Sequence, residues 1–417
     1  MNCAISPGRR SYGAALALAG SVAVLIASCR AERRLPPSVD AGPDVRTHPR
    51  EPVTLKLRLS GSWKPDGPRR FTIDWGDRST DHGAVADTSG PATVSHVYAA
   101  VGRDTVRVTV TGEDGQEGSD TLTVFVEAAG TPEVFVGAGD IATCSNRNAA
   151  ASAKLLDSIP GTVFTLGDNA YPSGRARDYS NCYAPTWGRH RKRTHPVPGN
   201  HEYDLPGATG YFGYFGVAAR DSSKGYYSYE LGDWHIVALN SNLAVTTESE
   251  TESEQERRQE AGDRSILARR AELAREQEQW LRADLAAHPK RCTLAYFHHP
   301  RFSSGTSHGS DPEMQPLWQV LYDAGADVVL TGHEHNYERF APQTPDGHAD
   351  SLRGIREFVA GTGGGVLYKL GPPIANSEVR SMSHGVLKLT LGARSYQWQF
   401  IPIAGGTFTD SGSASCH

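Results

Sequence analysis

Gly167-Asp168-Asn169-Ala170-Tyr171 stands directly after an apolar run, Thr162-Val163-Phe164-Thr165-Leu166, that reads as a buried strand. A strand that ends in Gly-Asp sets a carboxylate at the rim of a sheet, where a sharp turn lets it point outward. Taken alone, the dipeptide is an ordinary turn. Four more clusters give it weight: Gly139-Asp140, Gly199-Asn200-His201-Glu202, His298-His299-Pro300 and Gly332-His333-Glu334-His335. Most of them follow a β-like apolar run. Together the clusters offer Asp140, Asp168, Tyr171, Asn200, His298, His333 and His335, the hard and borderline donors that a pair of metal ions requires. The reading makes Asp168 the residue that bridges the two ions.

At 417 residues the chain can hold two or three domains and a large core. A net charge of −5 and a pI near 6.3 argue against a nucleic-acid scaffold as partner, since no basic surface would drive it. The N-terminus reads as an export signal over residues 1–29: Arg9 and Arg10, then a short apolar stretch from Tyr12 to Ala27. It is short for a transmembrane helix. Its end, Ile26-Ala27-Ser28-Cys29, resembles the bacterial lipobox, which would make Cys29 the lipidated first mature residue and its lipid the sole membrane anchor. The alternative is a plain secretory signal cut nearby.

Of six cysteines, Cys3 lies in the signal and Cys29 is the lipid site, which leaves Cys144, Cys182, Cys292 and Cys416. Four cysteines in an exported chain allow three pairings. Cys144 and Cys182 each follow a strand of the metal cluster closely, which favours Cys144–Cys182. Cys292–Cys416 would then staple the C-terminal tail to the strand leading to His298. Four buried thiols are the alternative, disfavoured in an oxidising compartment.

Residues 30–40 read as a tether. From 41 to 128 the pattern is all-β, with alternation in Val53-Thr54-Leu55-Lys56-Leu57-Arg58-Leu59 and in Val106-Arg107-Val108-Thr109-Val110, the size of a small sandwich. Asp74-Trp75-Gly76-Asp77, His96-Val97-Tyr98, Gly102 and Gly112-Glu113-Asp114-Gly115 resemble the PKD-type immunoglobulin-like domain, usually a spacer or a weak binding module for a surface glycan or protein. Asp74 and Asp77 read as turn formers, with a calcium site as the lesser alternative.

From 129 to 417, strands alternate with helical stretches. Asn148–Ser158 predicts a helix with Ala151, Leu155 and Leu156 inward. Residues 246–265, dense in Glu, Ser and Thr, predict an acidic solvated insertion, more simply a surface loop than a partner site. A helix follows from Arg264 to Ala287, with Ile266, Leu273, Trp280, Leu281 and Leu285 as its apolar stripe. Gly361–Gly365 reads as a tight turn on the site side, and Gly385–Leu391 with Ser395–Ile403 as a closing hairpin. Loops 172–190, 203–224 and 301–312 are the expected pocket walls.

The blocks Gly139-Asp140, Gly167-Asp168-Asn169-Ala170-Tyr171, Gly199-Asn200-His201-Glu202, Ala295-Tyr296-Phe297-His298 and Gly332-His333-Glu334-His335 resemble those of calcineurin-like metallophosphoesterases, closest in the Gly-Asp-x-x-Tyr form to purple acid phosphatases. A metallo-β-lactamase-like His-x-His is disfavoured because Asn336-Tyr337, not Asp-His, continues the motif. The resemblance implies an α/β (α+β) sandwich of two mixed β-sheets flanked by helices, preceded by the small all-β immunoglobulin-like sandwich. It implies an exported binuclear-metal hydrolase of phosphate esters, chiefly monoesters. A nucleotide or lipid phosphodiesterase, or a non-catalytic surface adhesion protein, is the alternative. It assigns Asp140, Asp168, Tyr171 and His335 to one metal and Asp168, Asn200, His298 and His333 to the other. Ala142 stands where the wider superfamily has a histidine, so Tyr171 takes its place and favours Fe(III), beside Fe(II), Zn or Mn. Three histidines are candidate catalytic groups: His201 to steady the phosphoryl group, and His308, or else His299, as general acid. Glu202 and Glu334 are expected to orient imidazoles from behind.

Overall fold

Alternation of burial along single strands decides the architecture of both halves. In a computed structural model the described residues are 37–60, 69–85, 92–112, 115–128, 130–245 and 264–417. The export signal with Cys29, most of the tether, and nearly all of the acidic insertion lie outside them. The described chain divides between Ala128 and Ala129 into two units.

Among the described residues the first unit has eight strands: β1 (Ser38–Asp40), β2 (Val45–Thr47), β3 (Pro52–Ser60), β4 (Arg69–Asp74), β5 (Thr80–Val85), β6 (Ala92–Val97), β7 (Gly102–Thr111) and β8 (Glu117–Val126). They form a sheet β1-β3-β6 and a sheet β2-β8-β7-β4-β5. Val53, Leu55 and Leu57 of β3 and Val106, Val108 and Val110 of β7 turn inward around Trp75. The residues between them face water, the signature of a sandwich. Asp74 and Asp77 each accept a backbone N–H two residues on, from Gly76 and Ser79, both at 3.0 Å. They are turn formers. His96 bonds Asp77 at 2.7 Å and stacks on Trp75.

Among its described residues the second unit holds thirteen strands: β9 (Glu133–Ala138), β10 (Thr162–Thr165), β11 (Thr194–His195), β12 (Tyr227–Leu231), β13 (Trp234–Ala238), β14 (Cys292–Tyr296), β15 (Val328–Thr331), β16 (Tyr337–Phe340), β17 (Arg356–Ala360), β18 (Ser377–Ser381), β19 (Gly385–Leu391), β20 (Ser395–Pro402) and β21 (Ser411–Ser415). Two mixed sheets result, β11-β10-β9-β19-β20-β21 and β12-β13-β14-β15-β17-β16-β18. Within them β9, β10 and β11 run parallel, as do β13, β14, β15 and β17. Successive side chains point to opposite faces. Phe135, Phe164, Leu294, Tyr296 and Leu330 therefore meet Leu387, Leu389 and Phe400 between the sheets. Their neighbours Val136 and Val163 face one helical layer, and Ala295 and Val329 the other.

The longer helices are α1 (Asn148–Ser158), α2 (Thr209–Phe215), α3 (Arg264–Ala287) and α4 (Gln315–Asp323). On α1 the buried residues are Ala149, Ser152, Ala153 and Leu156, so the inward face is rotated from the predicted one. The cause is Ser152, a polar residue that sequence places outside. Its Oγ donates to the Gly363 carbonyl and accepts from Trp187 Nε1 at 3.0 Å. On α3 the C-terminal half packs inward, with Leu281 and Leu285 buried beside Gln277. The Gln277 amide clamps the Asn240 backbone at 2.8 and 3.1 Å. Stretches 172–190 and 203–224, expected as loop walls, are largely short helices. Their Tyr179, Tyr183, Tyr211 and Phe215 rings close a second core. Disulfides join Cys144 to Cys182 and Cys292 to Cys416, with Cα atoms 5.0 and 5.4 Å apart.

Phe164 is fully buried and meets Phe135 at 4.6 Å between ring centroids. Phe164→Ala should cost about 3–5 kcal/mol, read as a lower midpoint for the second unit's urea transition. An unchanged midpoint would mean that the sheets are not held by this layer.

Candidate metal centre

Parallel strands deliver every clustered donor to one edge. Asp140 follows β9, Asp168 follows β10, Asn200 follows β11, His298 follows β14 and His333 follows β15. Ligand sites in α/β sheets lie at such carboxyl ends of strands. Asp140, Asp168 and His333 all sit at positive φ, 60°, 47° and 68°. L-residues avoid this region, at a cost of roughly 1–2 kcal/mol each. The strain turns each side chain back over the strand end. Small neighbours are required too: a Cβ on Gly332 would stand 2.7 Å from Asp140 Oδ2, and one on Gly167 would stand 2.5 Å from His298 Nδ1.

The donors form two groups. In the first, the Tyr171 phenol oxygen lies 3.0 Å from Asp140 Oδ1, 3.0 Å from Asp168 Oδ2 and 2.9 Å from His335 Nε2. His335 Nε2 is 3.1 Å from Asp140 Oδ1. In the second, His298 Nε2 lies 2.9 Å from Asn200 Oδ1, 3.1 Å from His333 Nδ1 and 3.5 Å from Asp168 Oδ1. Asp168 thus turns one carboxylate oxygen to each group.

Asp140 and Asp168 are 0 % and 2 % exposed, and their ion pairs run to His201, His298 and His335. Buried carboxylates of this kind require cationic compensation. Two carboxylates, a phenol, an amide oxygen and three imidazoles fit a pair of metal ions better than any arrangement of protons. Burial drives the Tyr171 phenol well above its ordinary pKa, and the two carboxylates push it further. A cation is what would make it a phenolate.

Backbone carbonyls aim the imidazoles. His298 Nδ1 meets the Leu166 carbonyl at 2.7 Å, His335 Nδ1 that of Val366 at 2.6 Å, and His201 Nδ1 that of Pro172 at 2.6 Å. The expectation that Glu202 and Glu334 orient imidazoles is corrected here. Glu202 is fully buried and accepts the backbone N–H groups of Asn169 (2.9 Å), Ala170 (3.3 Å) and Gly199 (2.7 Å), with the Tyr179 hydroxyl at 3.0 Å. It laces the Asp168 turn to the Asn200 turn. Glu334 Oε1 accepts from His308 and Gly309 N–H, both at 2.6 Å, and so holds the loop that carries His308.

His201 places its N–H 3.0 Å from Asp168 Oδ1, and its ring meets Tyr171 edge-on at 4.8 Å. Burial alone would lower its pKa, but Asp168, Asp204 and the Pro172 carbonyl outweigh it and raise the imidazole to about 10. His308 is exposed and lies over His333, ring centroids 4.0 Å apart. His299 is 1 % exposed, with Nδ1 2.8 Å from Ser241 Oγ. Burial, with His298 beside it, pushes its pKa well down, which disfavours the charged form that a general acid uses. Gly363 and Gly365 N–H bond the Gly139 and Asp140 carbonyls at 2.9 and 2.7 Å, which puts the glycine turn against the site. Two contributors were missed in the sequence. Tyr368 stacks on His335 at 3.9 Å with 9° between planes, and Ser241 supports His299. Neither residue belongs to a motif or a periodic stripe that would mark it.

This constellation belongs to a metal-site α/β sandwich. The calcineurin-like phosphoesterase family model matches residues 119–337, more than half the chain, and a PKD domain model matches residues 34–126. The chain belongs to the calcineurin-like phosphoesterase family and carries a PKD domain before it. It is similar to purple acid phosphatase 15 of Arabidopsis thaliana, 27% identical over 44% of this chain and 37% of that protein. It is also similar to purple acid phosphatase 22 of the same plant, 26% identical over 52% and 50%. The chain spans half or less of the length of these two relatives. Among solved structures, GAP50, the anchor in the inner membrane complex of Plasmodium, shares the fold at 13% identity, with a TM-score of 0.50 over 67% of this chain and 88% of that one.

Glu202→Gln keeps the shape but leaves N–H groups facing an NH₂. Metal affinity should fall about 10- to 100-fold, as for other groups that support ligands, read by competition with a chromogenic chelator. Unchanged affinity would show that the two turns hold themselves.

Proposed function

We propose that residues 129–417 form an exported binuclear-metal phosphoesterase acting chiefly on phosphomonoesters. The observation that carries the reading is Asp168, which faces two donor groups with one oxygen each. Asp140, Asp168, Tyr171 and His335 would hold one ion; Asp168, Asn200, His298 and His333 the other. The phenol suits a trivalent first ion, Fe(III), with Fe(II), Zn or Mn beside it. When bound, the pair supplies charge neutralisation for the phosphate oxygens and lowers the pKa of a water toward neutrality.

The chain's own residues do the rest. His201, held through Nδ1, would donate from Nε2 to a phosphoryl oxygen as negative charge grows there. His308, exposed above His333, would protonate the departing alkoxide oxygen. Tyr368, stacked on His335, would cover one side of the first donor group and shield these interactions from water. The apolar N-terminal stretch ending in Cys29 and the two disulfides support export, and Cys29 would anchor the chain by lipid. The PKD domain would serve as a spacer or a weak contact with a surface glycan or protein.

A panel of phosphomonoesters beside phosphodiesters tests the class. Monoesters should turn over faster on the wild type, and Asp168→Asn should lose about 10³-fold or more. Retention of full activity would remove Asp168 from the reaction. Iron-loaded protein should absorb visible light through tyrosinate, and Tyr171→Phe should abolish the band; a colourless iron-loaded protein would reject the Fe(III) assignment. His308→Ala should lose about 10²-fold on alkyl phosphates and less on nitrophenyl phosphate. Equal losses would reject its acid role.

A further inference from the structure

We propose a second, independent metal site, for zinc or a like transition ion, built by His235, Asp284 and His288 at the opposite end of the β13 sheet from the phosphoesterase centre. One donor atom from each of the three lies within 4.8 Å of the others. His235 pairs with Thr293 across β13 and β14, five residues before His298. At the rise of an extended strand this separates the two sites by roughly 17 Å.

The fold brings the cluster together by three independent routes. The antiparallel register of β12 and β13 sets Glu230 opposite His235. Packing of α3 brings Asp284 onto the same spot. The helix then ends at Ala287, and its last turn places His288 four residues after Asp284. His235 Nε2 is 2.8 Å from Asp284 Oδ2, and His288 Nδ1 is 3.3 Å from Asp284 Oδ1. The two imidazoles lie nearly parallel, 4.8 Å apart at 12°.

The surroundings are those of a ligand set. His235 Nδ1 bonds Glu230 Oε1 at 2.9 Å, a carboxylate behind the imidazole of the kind that steers a metal-bound histidine. Ser228 Oγ donates to Asp284 Oδ1 at 2.7 Å and fixes that carboxylate. Lys290 Nζ stands 3.3 Å from Glu230 Oε2 and accounts for one of the two negative charges. The side chains of His235 and Asp284 are 1 % and 8 % exposed. That of His288 is 44 % exposed, so water would complete the ligand set from the solvent side. The C-terminus of α3 adds a negative end that favours a cation. His288 Nδ1 also contacts the Asp284 carbonyl at 2.8 Å, a bond it would give up for the ion. Two imidazoles and one carboxylate match zinc's preferred donors. The ion would pin the end of α3 to the β12–β13 hairpin.

The test is the zinc content of the full chain. Chelator-stripped protein is dialysed against zinc, washed, and measured by mass spectrometry. His288→Ala should bind one zinc per chain fewer than wild type, and Asp284→Asn likewise. Cobalt loading should give a wild-type-minus-His288→Ala difference spectrum with the intense bands of a tetrahedral site. His288 is a surface residue, so its variant folds even where Asp284→Asn does not. Equal zinc content in wild type and His288→Ala overturns the proposal and leaves Glu230–His235–Asp284 as a hydrogen-bonded relay. The readout does not involve phosphoester turnover, so a different chemistry at Asp168 would leave it standing.

Discussion

Asp140 and Asp168 stand out of water beside a phenol whose proton neither can share fully. Burial alone would raise the Asp140 carboxyl, but His335, His298 and the Tyr171 hydroxyl outweigh it and hold it below the usual carboxylate range. The rest of the second unit answers that problem. Parallel strands bring the groups to one edge, positive φ at three of them turns the side chains inward, and glycines clear the space they turn into. Strain of this kind persists only where the surroundings over-determine it. Here the over-determination is visible in Glu202, which ties the Asp168 turn to the Asn200 turn by their N–H groups.

The two aspartates do unlike work despite like burial. Asp140 turns one oxygen to the first donor group and accepts the His333 N–H at 2.9 Å with the other, so its second lone pairs are already engaged by backbone. Asp168 turns one oxygen to each donor group, and its Oδ1 accepts the His201 N–H as well. A residue that serves two centres cannot be moved for the benefit of one. This explains why its turn carries the most bracing, from Glu202 on one side and from the His201 N–H on the other.

Much of this was legible in the sequence, and the reasons differ by element. The seven donors could be read because a metal centre needs specific side chains at strand ends, and Gly-Asp or Gly-His marks such an end. The sandwich of the first unit was legible from period-two alternation in β3 and β7. The inward face of α1 was not, because Ser152 is buried for a hydrogen bond to Gly363 that only the tertiary fold creates. The role of Glu202 was misread for a similar reason. Its partners are backbone amides, and sequence carries no trace of which amides a carboxylate will meet. The aromatic helices of 172–190 and 203–224 read as loops in the sequence because their glycines and short lengths mask a helical period.

The backbone also explains how three histidines with different chain neighbours reach one chemistry. His298, His335 and His201 each give Nδ1 to a carbonyl, from Leu166, Val366 and Pro172. That choice fixes the tautomer and leaves Nε2 facing the centre. His333 is the exception, since its Nδ1 is the atom turned to His298. It can differ because it follows a glycine at a left-handed corner, which rotates the ring relative to the strand. A side-chain partner could be lost by one substitution; a carbonyl cannot. Aiming imidazoles by main chain therefore makes the site as durable as the sheet edges that carry it, and confines what substitution can tune to the rim, where exposed His308 and half-buried Tyr368 stand.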